Sequence, residues 1–347
     1  MKKSNAEIRN PKKQDVIENL FFDLQVKRKG KALEDPLNNK GLAFAPTNIA
    51  LCKYWGKRDT ELNLPVTSSL SIALPDVGAM TTLSLRDNHD HIVLNDRVIE
   101  SNSEFMQRTI AYLDLFRPKK NWYLDINIKM TVPVAAGLAS SACGFASLIS
   151  ALNDLFGWQL TLRELSILAR LGSGSAARSL WLGFVEWRAG VAKDGNDSYG
   201  EPIDSDWPSL CLGIIPISTN EKPISSREAM KRTVNSSTLY GSWPKKTALD
   251  LALLRQAIQI RNFSLLAGTA ESNALSMHAT MLGSWPPICY FLPETIAAMH
   301  KVWALREEGL AIYFTQDAGP NLKLLFEEKN AENVTQEFSG VEVVRVF

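Results

Sequence analysis

A run of small residues lies in the first half of the chain: Val132-Pro133-Val134-Ala135-Ala136-Gly137-Leu138-Ala139-Ser140-Ser141-Ala142-Cys143. The residues before it alternate apolar and polar like a half-buried strand, and those after it repeat leucine and isoleucine at helical spacing. Glycine and alanine at such a turn let the backbone approach an anion, and the N–H groups of the first helical turn point at it. Because the run lacks the P-loop pattern, it predicts either a phosphate-binding turn or a tightly packed turn without a ligand.

The composition favours a soluble enzyme of two modest domains. The 347 residues are 45% hydrophobic, and 38 Lys and Arg oppose 37 Asp and Glu, so the formal charge of +1 creates no field that attracts nucleic acid or a membrane. We find no signal peptide and no apolar run of about 20 residues, the length of a membrane span. The four cysteines form no C-x-x-C pair, so reduced thiols in a cytoplasmic protein fit better than a zinc or redox site.

Residues 1–40 differ from the rest and predict an N-terminal arm. Basic clusters surround residues 15–24, which are amphipathic as a helix. Such an arm docks one helix on the body, covers an active site or binds an acidic surface. The polar, proline-containing stretch 218–223 predicts a boundary between two domains, residues 41–220 and 221–347.

Strand and helix signals alternate from residue 41 onward, which predicts an α+β fold. Residues 80–86 and 91–94 flank a polar turn and predict a hairpin. A capping box at residues 161–164 predicts a helix that runs to Arg170. Residues 310–315 predict a buried strand.

Two lysines bracket two aromatic residues in segment 45–58. Lys53 and Lys57 enclose Tyr54 and Trp55, an unusual composition for a core strand. The lysines supply point charges for phosphate or carboxylate groups, and Tyr54 supplies a hydrogen-bond donor. The alternative, an exposed basic strand end, leaves Trp55 and the upstream Asn48 unexplained.

The segment 172–179 combines glycines and serines with one arginine. Its backbone N–H groups and the hydroxyls of Ser173 and Ser175 predict an anion cradle, with the fork of Arg178 available to a carboxylate. The alternative is a helix C-cap followed by a linker. Ser225-Ser226-Arg227 repeats this chemistry with less specificity.

An aspartate follows the predicted strand 310–315 in Asp317-Ala318-Gly319-Pro320-Asn321. A carboxylate on a Gly-Pro turn at a strand end is rigid and partly desolvated, as a general base should be. The same residue types also form ordinary turns.

In order and spacing, these segments resemble the diphosphomevalonate decarboxylase family of the GHMP kinase superfamily. The resemblance extends over residues 41–347 and leaves the arm outside it. The motifs that carry it are residues 45–58, 64–71, 136–144, 172–179 and 183–187, Asn273 with residues 277–279, Pro286-Pro287 and residues 317–321.

The resemblance implies a fold and a reaction. The fold has an N-terminal GHMP kinase-like ATP-binding domain, similar to ribosomal protein S5 domain 2, and a ferredoxin-like C-terminal domain, with the active site in the cleft between them. The reaction is the ATP-dependent decarboxylation of (R)-5-diphosphomevalonate to isopentenyl diphosphate, ADP, phosphate and CO2 in the mevalonate pathway of isoprenoid biosynthesis. ATP and Mg2+ are the implied cofactors and a homodimer is the implied assembly, whereas the Mg2+ ligands stay unidentified.

The resemblance also implies residue roles. Asp317 matches the catalytic aspartate, Lys53 the lysine beside it, and Arg178 the arginine that holds the substrate carboxylate. Positions around the substrate's phosphates and carboxylate match Asn48, Tyr54, Lys57, Ser173, Ser175, Ser226 and Arg227. The ATP phosphate loop matches Gly137, Leu138, Ala139, Ser140, Ser141 and Ala142.

Three alternatives use the same fold. A 5-phosphomevalonate decarboxylase takes a substrate with one phosphate fewer, and a mevalonate 3-kinase phosphorylates without decarboxylating. A catalytically idle sensor binds ligand and acts through a partner protein. Asp317, Lys53 and Arg178 together favour full decarboxylation, and the charges of Lys57 and Arg227 favour a diphosphate.

Overall fold

Helices and sheets are both present in the computed structural model, which describes residues 11–27, 35–117, 119, 121–131, 140–218, 220 and 222–347. Its helices are α1 (Lys13–Lys27), α2 (Glu104–Leu113), α3 (Ser140–Phe156), α4 (Leu162–Gly172), α5 (Ser226–Ser236), α6 (Trp243–Gln259), α7 (Phe263–Leu282), α8 (Pro293–Glu307) and α9 (Ala331–Glu337). Its strands are β1 (Gly41–Cys52), β2 (Lys57–Asp59), β3 (Leu64–Pro65), β4 (Ser69–Arg86), β5 (His91–Leu94), β6 (Arg97–Val98), β7 (Tyr123–Met130), β8 (Gly183–Trp187), β9 (Gly200–Pro202), β10 (Leu210–Ile214), β11 (Tyr313–Gln316), β12 (Leu322–Glu327) and β13 (Glu342–Arg345). The predicted α+β class is confirmed.

The N-terminal sheet is organised around the long strand β4. Its strands follow the order β6-β5-β7-β4-β8-β9, and β1 also pairs with β4. The antiparallel β1–β4 ladder runs from Gly41 opposite Leu83 to Cys52 opposite Leu70. Helix α3 packs across both strands so closely that a Cβ on Gly41 would lie 2.1 Å from Ala151 O. This ladder brings the segment after Cys52 to the edge of the N-terminal layer.

The predicted hairpin of residues 80–86 and 91–94 is wrong. Both strands form, but β7 lies between them, antiparallel to β4 and parallel to β5. The turn is tied to β7 because Asp90 Oδ1 accepts from Leu124 N at 2.8 Å. A polar turn in the sequence indicates where two strands end, but it does not specify which strand each one pairs with.

The second sheet is antiparallel, in the order β11-β12-β10-β13. Helix α7 contacts β11 and β12 of this sheet and also β1 of the first one. The two sheets are therefore joined through a shared helix, and the segments that follow β1 and β11 meet beside it. The predicted domain boundary at residues 220 and 221 stays a prediction.

Several local predictions are confirmed. Strand β7 and helix α3 flank the opening small-residue run, and Thr161 and Glu164 form the reciprocal capping box of α4.

The predicted strand 310–315 begins later than expected. Leu310 N still bonds to Leu305 O at the end of α8, and β11 starts at Tyr313.

The N-terminal arm contributes the helix that its amphipathic pattern predicts. Val16 and Ile17 of α1 are buried, and the Phe21 ring meets the Trp158 ring edge-on at 4.8 Å between centroids. Residues 1–10 and 28–34 of the arm lie outside the described residues. In the described ranges, no helix is long and apolar enough to cross a membrane.

Candidate active site

A cavity of about 390 Å³ lies where the segments after β1 and β11 meet. It brings together every predicted catalytic and substrate-binding residue, although these come from segments more than 250 positions apart. The members are Asn48, Lys53, Tyr54, Lys57, Ser173, Ser175, Arg178, Ser226, Arg227 and Asp317. Their roles stay predictions, but their convergence in one cavity is a structural finding.

The predicted ATP loop is only partly described. Gly137, Leu138 and Ala139 lie outside the described residues, and Ser140 is the first residue of α3. Ser141 lines the cavity, and its Oγ lies 3.3 Å from Ser173 Oγ. Ala142 is buried behind it. The first turn of α3 therefore borders the same cavity as the Ser173 turn.

Asp317 sits between two buried lysines. Lys53 Nζ is 2.8 Å from Asp317 Oδ1 and Lys323 Nζ is 3.5 Å from Oδ2. The aspartate side chain is 24% exposed, while each lysine is only 2% exposed. Burial alone would raise the pKa of Asp317, but Lys53 and then Lys323 lower it well below its usual range. The carboxylate is therefore ionised at neutral pH and is open to the cavity.

Helix α7 holds Lys53 in place from behind. Lys53 N donates to Asn273 Oδ1 at 2.8 Å, and Lys53 Nζ also donates to Ala50 O at 2.8 Å. Asn273 Nδ2 donates to Asp250 Oδ2 at 2.8 Å, which orients the amide so that its oxygen faces Lys53. The backbone and the ammonium group of Lys53 are thus both fixed, with the ammonium beside Asp317 at the cavity wall.

The backbone of Asp317 is supported by neutral groups. His278 Nε2 lies 3.2 Å from Asp317 O, and burial, with Lys53 as the next cause, lowers the pKa of His278 to about 3. A neutral ring with its proton on Nε2 donates to that carbonyl. On the turn itself, Gln316 Nε2 donates to Gly319 O at 2.8 Å. His278 therefore packs and positions, in keeping with its absence from the predicted catalytic residues.

Arg178 is held by hydroxyl and amide oxygens instead of a carboxylate. Its Nε donates to Ser71 Oγ at 3.0 Å, its Nη2 to Asn48 Oδ1 at 3.2 Å, and its Nη1 to Ser69 Oγ. Burial lowers the pKa of Arg178 to about 10, so the guanidinium stays protonated at neutral pH. No salt bridge to it is found among the described residues, and a buried cation without a paired acid favours an anionic ligand.

Tyr54 offers a buried hydroxyl to the same cavity. Its Oη is buried and, among the described residues, has no hydrogen-bond partner. Its ring packs edge-on against Trp187 at 4.7 Å between centroids. Buried hydroxyls are normally satisfied, so this group is available to a ligand.

Cations crowd the other end of the cavity. Lys57 Nζ donates to Asn63 Oδ1 at 2.6 Å, and Arg108 and Arg227 line the same wall. Burial first, then Arg227, Lys13 and Arg108, lower the pKa of Lys57 to about 8. Ser226 and Arg227 also belong to the first turn of α5, whose positive end attracts anions. This end of the cavity is suited to a multiply charged anion.

Three cations of the site, Lys222, Lys323 and Arg108, were not predicted from the sequence. Lys323 lies between Leu322 and Leu324 in β12, and a lysine in a buried strand is the signal that could have indicated it. Arg108 lies on the amphipathic helix α2, where an arginine on the polar face carries no distinguishing signal.

Gly174 provides the space for Tyr54. A Cβ at this position would lie 2.8 Å from Tyr54 Oη and Cε1. We expect Gly174→Ala to push the ring aside and raise the substrate KM about threefold to tenfold, because a displaced Tyr54 hydroxyl loses a hydrogen bond to substrate worth about 0.5–1.5 kcal/mol. Gly241→Ala, where the added Cβ meets nothing within 4 Å, is the matched control. Steady-state kinetics check this, and an unchanged KM in Gly174→Ala would contradict it.

These observations define a class of protein. An α+β fold in which two large sheets are joined, with a lysine-bound aspartate and a cationic wall in one cavity, is that of a GHMP kinase-type enzyme acting on phosphorylated ligands. Residues 45–200 match the diphosphomevalonate decarboxylase-like N-terminal domain, and residues 213–342 match the mevalonate 5-diphosphate decarboxylase C-terminal domain. The chain belongs to the diphosphomevalonate decarboxylase family.

Individual relatives are similar in sequence to this chain over most of their length. The diphosphomevalonate decarboxylase of Aspergillus fumigatus is 38% identical over 325 residues, which is 87% of this chain and 80% of the relative. The mevalonate diphosphate decarboxylase of Staphylococcus aureus superposes with a TM-score of 0.84 at 37% identity, covering 89% of this chain and 96% of the other. A structure of MDDEF in complex with MVAPP, AMPPCP and magnesium superposes with a TM-score of 0.83 at 39% identity, covering 88% and 96%.

Proposed function

We propose that this chain catalyses the ATP-dependent decarboxylation of (R)-5-diphosphomevalonate to isopentenyl diphosphate, with release of ADP, phosphate and CO2, in the mevalonate pathway. Family membership supports the reaction. The observation that carries it in this chain is the ionised Asp317 between Lys53 and Lys323, in one cavity with the buried Arg178.

The first step transfers the γ-phosphoryl group of ATP to the tertiary 3-hydroxyl. The hydroxyl oxygen forms a bond to the γ-phosphorus, the bond from that phosphorus to the β-bridging oxygen breaks, and Asp317 takes the hydroxyl proton. A strongly stabilised carboxylate is a weak base, but the loose transition state of phosphoryl transfer needs the proton to leave only late. The incoming phosphate charge next to Lys53 and Lys323 also competes for these lysines, which raises the basicity of Asp317.

The second step removes phosphate and CO2. The C3–O bond breaks with its electron pair leaving on phosphate, and the electrons of the bond to the carboxylate carbon form the new C=C bond as CO2 departs. Arg178 is placed to hold the carboxylate in line for this fragmentation, because its guanidinium is fixed by Ser69, Ser71 and Asn48. Lys53 stabilises the leaving phosphate.

The described residues fit Mg2+ carried by the phosphates of ATP. Ser141 and Ser173 present hard hydroxyl oxygens at the cavity wall, whereas no cluster of three or more His, Cys, Asp or Glu forms a dedicated metal cage among the described residues. Mg2+ usually binds through few protein ligands and the substrate's phosphates. When bound, it would supply charge neutralisation for the transferring phosphoryl group.

A substrate panel tests the proposal and its alternatives. Purified protein is offered mevalonate, its 5-phosphate and its 5-diphosphate, with ADP and CO2 measured in each reaction. We expect turnover with both products from the 5-diphosphate. Preference for the 5-phosphate, ADP without CO2, or ligand binding without turnover would each overturn the proposal in favour of the monophosphate enzyme, the 3-kinase or the sensor.

The pKa of Lys57 predicts a pH dependence. Its charge is present below a pKa of about 8 and is lost as the pH rises through that value, so kcat/KM for the 5-diphosphate should fall along an alkaline limb near this pH. Lys57→Arg should move that limb upward, since arginine stays protonated. Profiles of kcat/KM for both proteins check this, and an identical limb in Lys57→Arg would assign it to another group.

The assembly and location complete the proposal. A homodimer in the cytoplasm follows from the family resemblance alone. Light scattering on the purified protein tests the dimer, and a monomeric mass at micromolar concentration would contradict it.

A further inference from the structure

A second cavity of about 780 Å³ adjoins the active site. The two cavities share a wall made of Lys57, Asn63, Arg108, Arg227 and Met230. The second cavity thus adjoins the cationic end of the first, the end that is suited to a multiply charged anion.

The outer side of this second cavity includes the N-terminal arm. Lys13, the first residue of α1, lines it. Helix α1 is anchored there by its buried Val16 and Ile17 and by the Phe21–Trp158 ring contact. Lys13 is therefore presented by a packed helix and not by a loose tail.

Positive charge prevails around the shared wall. Lys13, Lys57, Arg108, Arg227 and Lys231 line the second cavity, against two acids, Glu61 and Glu228. Burial lowers the pKa of Lys13 and Glu61 opposes that effect, with Arg227 adding to it. Lys13 is also one of the charges that lower the pKa of Lys57. Like charges at this density repel one another until an anion neutralises them.

Helix α1 is additional to the family's matched region. The match to the N-terminal domain begins at residue 45, and α1 ends at Lys27. Lys13 on this helix is therefore additional to the substrate-binding residues that the family resemblance assigns.

We propose that the N-terminal helix is part of the substrate site: Lys13 adds a cation to the cluster that binds the diphosphate end of the substrate, across the wall formed by Lys57 and Arg227. This inference rests on the proposed function, because the diphosphate is that of the proposed substrate. It assigns to the arm a role in substrate affinity.

The test compares Lys13 with its neighbour Lys12, which is exposed and does not line the cavity. Lys13→Ala should raise the KM for 5-diphosphomevalonate about threefold to tenfold, because it removes one cation from the cluster. Lys13→Glu should raise it more than tenfold, because it also places a negative charge there. In Lys13→Ala and Lys13→Glu, we expect kcat and the KM for ATP to change less than about twofold. Lys13→Arg should keep the wild-type affinity for 5-diphosphomevalonate. The differences should shrink at about 0.5 M salt. Lys12→Ala and Lys12→Glu should behave like the wild type.

Two outcomes overturn the inference: an unchanged KM for 5-diphosphomevalonate in Lys13→Ala and Lys13→Glu, or changes in these two variants equal to those in Lys12→Ala and Lys12→Glu. Calorimetric binding of inorganic diphosphate to the same proteins separates this inference from the proposed function. If wild-type protein releases no CO2 but Lys13→Glu still weakens diphosphate binding relative to Lys12→Glu, the proposed function fails alone. If turnover is intact and neither KM nor diphosphate binding depends on Lys13, the role of the helix fails alone.

Discussion

Asp317→Asn is expected to lower kcat by about 10²- to 10⁴-fold, the range that general acid–base catalysis contributes. Asparagine keeps the shape of the side chain but cannot take the proton of the 3-hydroxyl. It also leaves Lys53 and Lys323 without the carboxylate that both contact. ATP binding should be nearly intact, because the predicted ATP loop, residues 137–142, belongs to a different segment from Asp317. Steady-state turnover and equilibrium binding of ATP measure the two effects.

The matched control for Asp317→Asn is Glu271→Gln. Glu271 is also a buried carboxylate paired with a cation, with Arg306 Nη2 at 2.9 Å from its Oε1, but it does not line the cavity. Both variants lose a buried ion pair, so both should unfold at lower temperature. Only Asp317→Asn should lose turnover at a temperature where both are folded. Near wild-type turnover in Asp317→Asn would remove this residue from the role of base.

Arg178→Lys is expected to lower kcat/KM by about 10²- to 10³-fold. A lysine retains the charge but loses the planar fork, which is fixed by hydrogen bonds to Ser69, Ser71 and Asn48 and is proposed to hold the substrate carboxylate. Misplacement of a reacting group by about 1 Å costs on the order of 10²-fold in rate. In single-turnover experiments, CO2 release should fall further than ADP formation, because Arg178 is proposed to hold the carboxylate during the fragmentation.

Arg170→Lys is the matched control for this change. Arg170 is equally buried, and its Nη1 donates to Gly195 O at 2.7 Å, but its side chain lies outside the active-site cavity. It should lower the melting temperature without a selective loss of CO2 release. An unchanged kcat/KM in Arg178→Lys and Arg178→Ala would exclude the assignment of Arg178 to the carboxylate.

Much of the secondary structure around the site follows from local sequence rules. The alternation in β7, the helical spacing in α3 and the reciprocal bonds of Thr161 and Glu164 depend only on residues close in sequence. Strand pairing depends on residues far apart in sequence, so the insertion of β7 between β4 and β5 could not be predicted from the turn at residues 87–90. The delayed start of β11 has a similar cause, because the end of α8 continues to bond Leu310.

The pairing of Asp317 with Lys53 was predicted only through the family resemblance, and the other charges around this pair were not predicted. Asp317 and Lys53 were each singled out from their own segments, but the second lysine on Asp317 comes from β12 and depends on how that strand packs. Arg108 and Lys13 reach the cationic wall only because α2 and α1 dock beside it. Local sequence does not show which charges will meet across tertiary contacts.

The ratio of CO2 to ADP from labelled substrate is the most direct measurement of the proposed reaction. 5-Diphosphomevalonate labelled at the carboxyl carbon is incubated with the protein, ATP and Mg2+, and labelled CO2 is counted against ADP. We predict one CO2 for each ADP, with both products abolished together in Asp317→Asn. ADP formation without labelled CO2, or no turnover of either by the wild-type protein, would contradict it.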